Sequence, residues 1–109
     1  MLRFNSDHKF KIMQIADTQE IPAVSPDTLS LINNALDREK PDLVIFTGDQ
    51  IKGYSKKFKK DPAIIESTID ILVEPIAKRN IPFMVTYGNH DAQCGVDNRG
   101  QYKFYAKYD

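Results

Sequence analysis

The stretch DLVIFTGD, residues 42–49, decides the fold. Leu43 to Phe46 are apolar without alternation, and Gly48-Asp49 ends the run. A strand with one wet face would alternate; an unbroken run this short suits a parallel sheet covered on both faces. Its flanks supply the crossovers. Upstream, SPDTLSLINNALDREK (25–40) opens with Ser25 as N-cap, Pro26 in the first turn where no N–H is needed, and Asp27 near the positive end of the dipole. Leu29, Ile32 and Leu36 then form an inward stripe, Asp37 to Lys40 end the helix in solvent, and Pro41 stops it. Before it, FKIMQIA (10–16) reads as another strand.

Downstream, Asp61-Pro62 repeats the cap-then-proline start, and Ile65, Ile69, Leu72, Val73 and Ile76 mark a second buried face. Pro75 removes an interior N–H, so a kink or an early end is expected there. IPFMVTYG (81–88) is the third strand. The order is β-α-β-α-β, an α/β fold with parallel strands and right-handed crossovers. The tail DNRGQYKFYAKYD (97–109) carries Tyr102, Phe104, Tyr105 and Tyr108 with no decisive period, and loop, strand and helix all stay open for it.

Composition bounds the function classes. At 109 residues and 41% hydrophobic content the chain suits one domain, and fifteen basic against fifteen acidic residues leave no global field for nucleic acid or membrane. The lone Cys94 favours a reducing compartment; as a thiol it is either redox-sensitive near the cleft or inert. The first residues lack a signal-peptide run, and no stretch approaches the ~20 apolar residues of a membrane span. A cytoplasmic, soluble protein is the expectation.

In a parallel sheet, residues just past the carboxyl ends of the strands gather along one edge, where ligands bind. Here these are Asp17 and Gln19, then Asp49, then Asn89, His90 and Asp91. Three carboxylates, two amides and an imidazole with few cations nearby suit a divalent metal ion such as Mg, Mn, Fe or Zn. Taken singly, Asp17 and Asp49 could instead cap the segments that follow. His8, in a polar segment, reads as ordinary surface.

Three ordered motifs, DTQ (17–19), GDQ (48–50) and GNHD (88–91), resemble those of the calcineurin-like metallophosphoesterases over about residues 8 to 95. Gln19 in the first motif is most similar to the purple-acid-phosphatase-29-like branch. Iron-binding purple enzymes carry Tyr three residues after the second-motif Asp; Lys52 stands there here. The resemblance implies the N-terminal half of a four-layer α/β/β/α sandwich, with the chain, 1–109, as a partial domain. It implies two divalent ions, Mn, Fe, Zn or Mg, with Asp17 and Gln19 on one, Asp49 bridging and Asn89 on the second. It further implies a catalytic His90 that donates to the phosphoryl or leaving-group oxygen, with Asp91 orienting its ring. The substrate would be a phosphate monoester or diester.

The family site also draws histidines from a later single His and a G-H-x-H sequence, whereas this chain has only His8 and His90. Either the chain is a truncated piece of a longer enzyme or a partner chain completes the site; truncation is the favoured expectation, giving a weakly active or inactive form with reduced metal occupancy. One sheet face would lose its cover, so a homo-oligomer through that face is expected. Two other classes compete: a catalytically dead regulatory or scaffold fragment, and a polyanion or nucleic-acid module through KGYSKKFKK (52–60), for which a solvated loop is the simpler reading. Nucleic acid is otherwise expected only as substrate.

Overall fold

The computed structural model describes residues 2–108 and makes the 42–49 stretch the centre of a sheet. Strand β1 is Ile12–Ile15, β2 is Leu43–Phe46 and β3 is Phe83–Val85. All pair in parallel in the order β1-β2-β3, with Gln14 beside Ile45 and Ile45 beside Met84. Helix α1, Pro26–Glu39, joins the first two strands and α2, Pro62–Ala77, the last two; α3, Asn98–Ala106, follows.

Local chemistry sets the helix ends. The Ser25 side chain accepts from the Asp27 N–H and that of Asp61 from the Ala63 N–H, so each cap satisfies a donor the helix leaves over. Helix α1 closes at Lys40, whose left-handed φ of 44° turns its N–H back to Leu36 O. Helix α2 runs past Pro75 and ends two residues later, at Ala77. Its final turn is held from outside, because Arg79 Nη1 donates to Pro75 O at 2.7 Å. The tail becomes α3, capped by Asp97, whose side chain accepts from the Gly100 N–H.

Both crossovers step the same way across the sheet, and crossovers of one hand then lay their helices on one face. The core sits there. Val44 and Phe46 of β2 are fully buried against Ile32 and Leu36 of α1, Ile65, Ile69, Leu72, Val73 and Ile76 of α2, and Tyr105 of α3. The opposite face corrects the expectation of cover on both sides: Ile12 is 55% and Met84 57% exposed, flanking a half-buried Ile45. Among the described residues no helix is long and apolar enough to cross a membrane.

Candidate functional site

Strands β1 and β2 each end in a turn that L-residues adopt reluctantly. Gly48 has φ 117°, and Asp17, Gln19 and Asp49 have φ 55°, 42° and 53°. Such left-handed non-glycine residues cost about 1–3 kcal/mol each and persist only where surrounding contacts over-determine them. Those contacts are hydrogen bonds between strand tips, from backbone and side chain alike. The Asp17 N–H donates to Gly48 O at 3.1 Å and the Gln19 N–H to Asp49 O at 2.9 Å. Thr18 Oγ1 donates to Gln50 O at 2.7 Å. From the third tip the His90 N–H donates to Asp49 Oδ1 at 2.9 Å.

Two glycines permit this closeness for different reasons. A Cβ on Gly48 would lie 2.6 Å from Gly88 N, and one on Gly88 would lie 2.2 Å from Asp49 Oδ1. Gly48 also needs its φ; Gly88 is not among the left-handed glycines, so space alone requires it. The structure therefore brings Asp17, Gln19, Asp49, Asn89 and His90 to one rim. Asp49 is only 8% exposed, whereas Asp17 and Asn89 are open to solvent.

Asp91 departs from its expected role. It is fully buried, and its carboxylate accepts from the Asp49 N–H at 2.7 Å, the Gly88 N–H at 2.8 Å and the Ile51 N–H at 3.2 Å. Its oxygens are turned to the backbone, and the partner of the His90 ring is Gln93, with Oε1 2.8 Å from Nδ1. An amide oxygen only accepts, so this pairing places a proton on Nδ1 and leaves Nε2 for another partner. The Tyr54 ring packs edge-on against the imidazole, with centroids 4.9 Å apart.

Sequence reasoning overlooked the polar residues behind the rim. Gln50 is 2% exposed; its Oε1 accepts from the Gly48 N–H at 2.6 Å and its Nε2 donates to Thr86 O at 3.1 Å, joining the second tip to the third. Glu20, also buried, accepts from the Ser25 N–H and the Thr28 hydroxyl, fixing the start of α1. Gln101 is fully buried and its Nε2 donates to Asp91 O at 2.7 Å and Val96 O at 2.9 Å. Position within GDQ was the one local signal for Gln50; Glu20 and Gln101 read as ordinary polar residues. Burial pushes the Cys94 thiol up, away from a reactive thiolate. Burial, then the Asp91 charge, likewise raises Tyr87.

Among the described residues no three His, Cys, Asp or Glu side chains gather as a metal cluster. The rim instead mixes the carboxylates of Asp17 and Asp49 with the amides of Gln19 and Asn89. An all-oxygen set suits a hard divalent cation, and Asp49, nearly buried yet in no ion pair among the described residues, has the uncompensated charge such an ion would neutralise. By donor type the set would serve one such ion. A second, tightly held, would need donors beyond these four.

A family model described as calcineurin-like phosphoesterase matches residues 10–109. The chain is 36% identical over 107 residues to phosphatase DCR2 of Saccharomyces cerevisiae, covering 83% of this chain and 17% of that protein. It is 33% identical over 112 residues to probable inactive purple acid phosphatase 28 of Arabidopsis thaliana, covering 88% and 27%. To probable inactive purple acid phosphatase 29 of the same plant it is 30% identical over 108 residues, covering 84% and 26%. The chain thus spans less than a third of the length of each of these relatives.

Proposed function

This chain belongs to the calcineurin-like phosphoesterase family, and on that premise we propose that its rim is part of a metal-dependent phosphate-ester hydrolase site. Asp17, Gln19, Asp49 and Asn89 would hold the divalent metal, and His90 would act on the phosphoryl group. The observation that carries this reading is the Asp49 carboxylate: nearly buried, in no ion pair among the described residues, and met by a single backbone donor, the His90 N–H of the third tip. A structural aspartate in that position would be expected to have a cation or several N–H donors, as Asp91 does.

The chemistry supplied by a bound divalent ion is activation of water and stabilisation of charge developing on phosphoryl oxygens. The chain's own groups do the rest. Gly88, without a Cβ, leaves room for the Asp49 carboxylate. Gln93 holds the His90 ring at Nδ1 and leaves Nε2 towards the rim; with both ring nitrogens protonated, Nε2 would give its proton to the leaving oxygen as its bond to phosphorus breaks and water supplies the new one. Of the chain's two histidines only His90 reaches the rim, so a second metal would rely on donors from elsewhere.

The Arabidopsis relatives are named as probable inactive phosphatases, which favours a second reading, a fold kept without turnover. Hydrolysis of p-nitrophenyl phosphate with added Mn or Mg, paired with calorimetric titration of the metal, tests both. Metal-dependent turnover abolished by Asp17→Ala with Asp49→Ala supports catalysis. Turnover that persists in that double variant refutes the assignment, and metal binding with no turnover supports the second reading.

A further inference from the structure

The β2–α2 loop beside the rim carries five lysines, Lys52, Lys56, Lys57, Lys59 and Lys60, that the chemistry above does not use. Among the described residues none of them joins an ion pair; those pairs involve Lys11, Arg38, Arg79 and Lys107. The loop is not a loose solvated tether. A Cβ on Gly53 would lie 1.9 Å from the His90 carbonyl oxygen, so the loop backbone is pressed against the residue proposed for proton transfer. The Lys60 stem lies across Gly95, and Phe58, fully buried, pins the loop to the core. Lys59 and Lys60 hold left-handed φ values of 54° and 51°. Like charges crowded on a pinned, strained segment repel, and an anion relieves them.

Between this loop and the segment after His90 runs a groove of about 340 Å³, lined by Tyr54, Lys56, Lys59, Lys60, Gln93 and Cys94. Two of its walls touch the candidate site, Gln93 through His90 Nδ1 and Tyr54 through the edge contact with the same ring. Lys52 Nζ, 5.2 Å from the Tyr54 centroid, adds positive charge on that side. We propose that this groove beside the His90 ring is the subsite for a second phosphoryl group, so that the site takes phosphate esters bearing two or more phosphoryl groups. The inference rests on the rim being a phosphoesterase site. Its volume suits part of a small molecule, and the three lysines that line it, Lys56, Lys59 and Lys60, supply compact cations that suit a multiply charged oxyanion.

Calorimetric titration of the chain with fructose 1,6-bisphosphate and fructose 6-phosphate tests it, alongside a Lys56→Ala/Lys59→Ala/Lys60→Ala variant and the corresponding triple Lys→Arg variant. The bisphosphate is expected to bind about tenfold tighter, the worth of one charge-assisted contact. The preference should collapse in the alanine variant and survive in the arginine one. Equal affinities, absence of binding, or a preference that the alanine variant retains would overturn the subsite. So would a single-stranded oligonucleotide that binds tighter than the bisphosphate through these lysines. A lysine-dependent preference without metal-dependent turnover of p-nitrophenyl phosphate supports the groove and sinks the hydrolase reading; turnover without the preference does the reverse.

Discussion

Replacing Asp91 distinguishes a carboxylate that holds the strand tips from one that serves the imidazole. Three backbone N–H groups, of Asp49, Gly88 and Ile51, end on its buried oxygens at 2.7, 2.8 and 3.2 Å. Asp91→Ala strands all three away from water at about 1–3 kcal/mol each, so a loss of about 5 kcal/mol is expected. That rivals the whole stability of a small domain, about 5–15 kcal/mol, and leaves the variant at the edge of folding. Asp91→Asn keeps the shape. Its amide oxygen can serve Asp49 and Gly88, but the NH₂ group then faces the Ile51 N–H, donor against donor. One lost bond and two weakened ones, offset by relief from burying a charge, leave about 2 kcal/mol. Urea unfolding followed by circular dichroism reads this directly: at a slope of about 1.5 kcal/mol/M the midpoint falls by about 1.3 M. His90→Ala, which removes a ring at the rim, should stay within about 0.5 kcal/mol of the unaltered chain. An Asp91→Asn midpoint within about 0.3 M of the unaltered chain would refute the assignment of these three bonds as the tie between tips.

Gly88→Ala drives a methyl to within 2.2 Å of Asp49 Oδ1 and 2.7 Å of Asp49 N; overpacking of about 1–3 kcal/mol is expected, together with weaker metal binding by calorimetry. Arg79→Ala removes the guanidinium that links Asn33 and Asp37 of α1 to Pro75 O at the end of α2. A fall in Tm of roughly 10 °C should follow, since about 2 kcal/mol is lost in a domain this small, and a fall under about 3 °C would count against the link. Tyr108 is pushed up to about 12, by burial first and then by its hydrogen bond to the Asp70 carboxylate. The folded chain holds that proton more firmly than the unfolded one, so this contribution is intact below pH ~10 and is lost as pH rises through about 12. Tyrosinate absorbance should show the late titration, and Tyr108→Phe should flatten the unfolding midpoint between those limits.

Much of this architecture is local chemistry written in order. Ser25-Pro26 and Asp61-Pro62 announce helices because capping involves neighbours two or three residues away, and the apolar runs announce strands because side chains alternate along a pleat. From there the parallel order and the meeting of residues 17, 19, 49 and 89–91 at one edge follow from topology alone. Cover of the sheet does not: Leu43 to Phe46 reads as buried on both faces, while the direction of both crossovers puts α1 and α2 on one side, where α3 packs against α2. Nor could the tail declare itself, since Tyr105 is inward only because the α2 side of the core and the Tyr87 ring offer it a wall. The clearest case is Asp49 and Asp91, the same side chain twice. Asp91 turns inward because donors some forty residues away, at Asp49 and Ile51, close on it, while Asp49 is left facing the rim with His90 N–H as its donor. Composition and order determine which groups arrive at the edge; hydrogen-bond partners supplied by distant segments decide which of them remain free for chemistry.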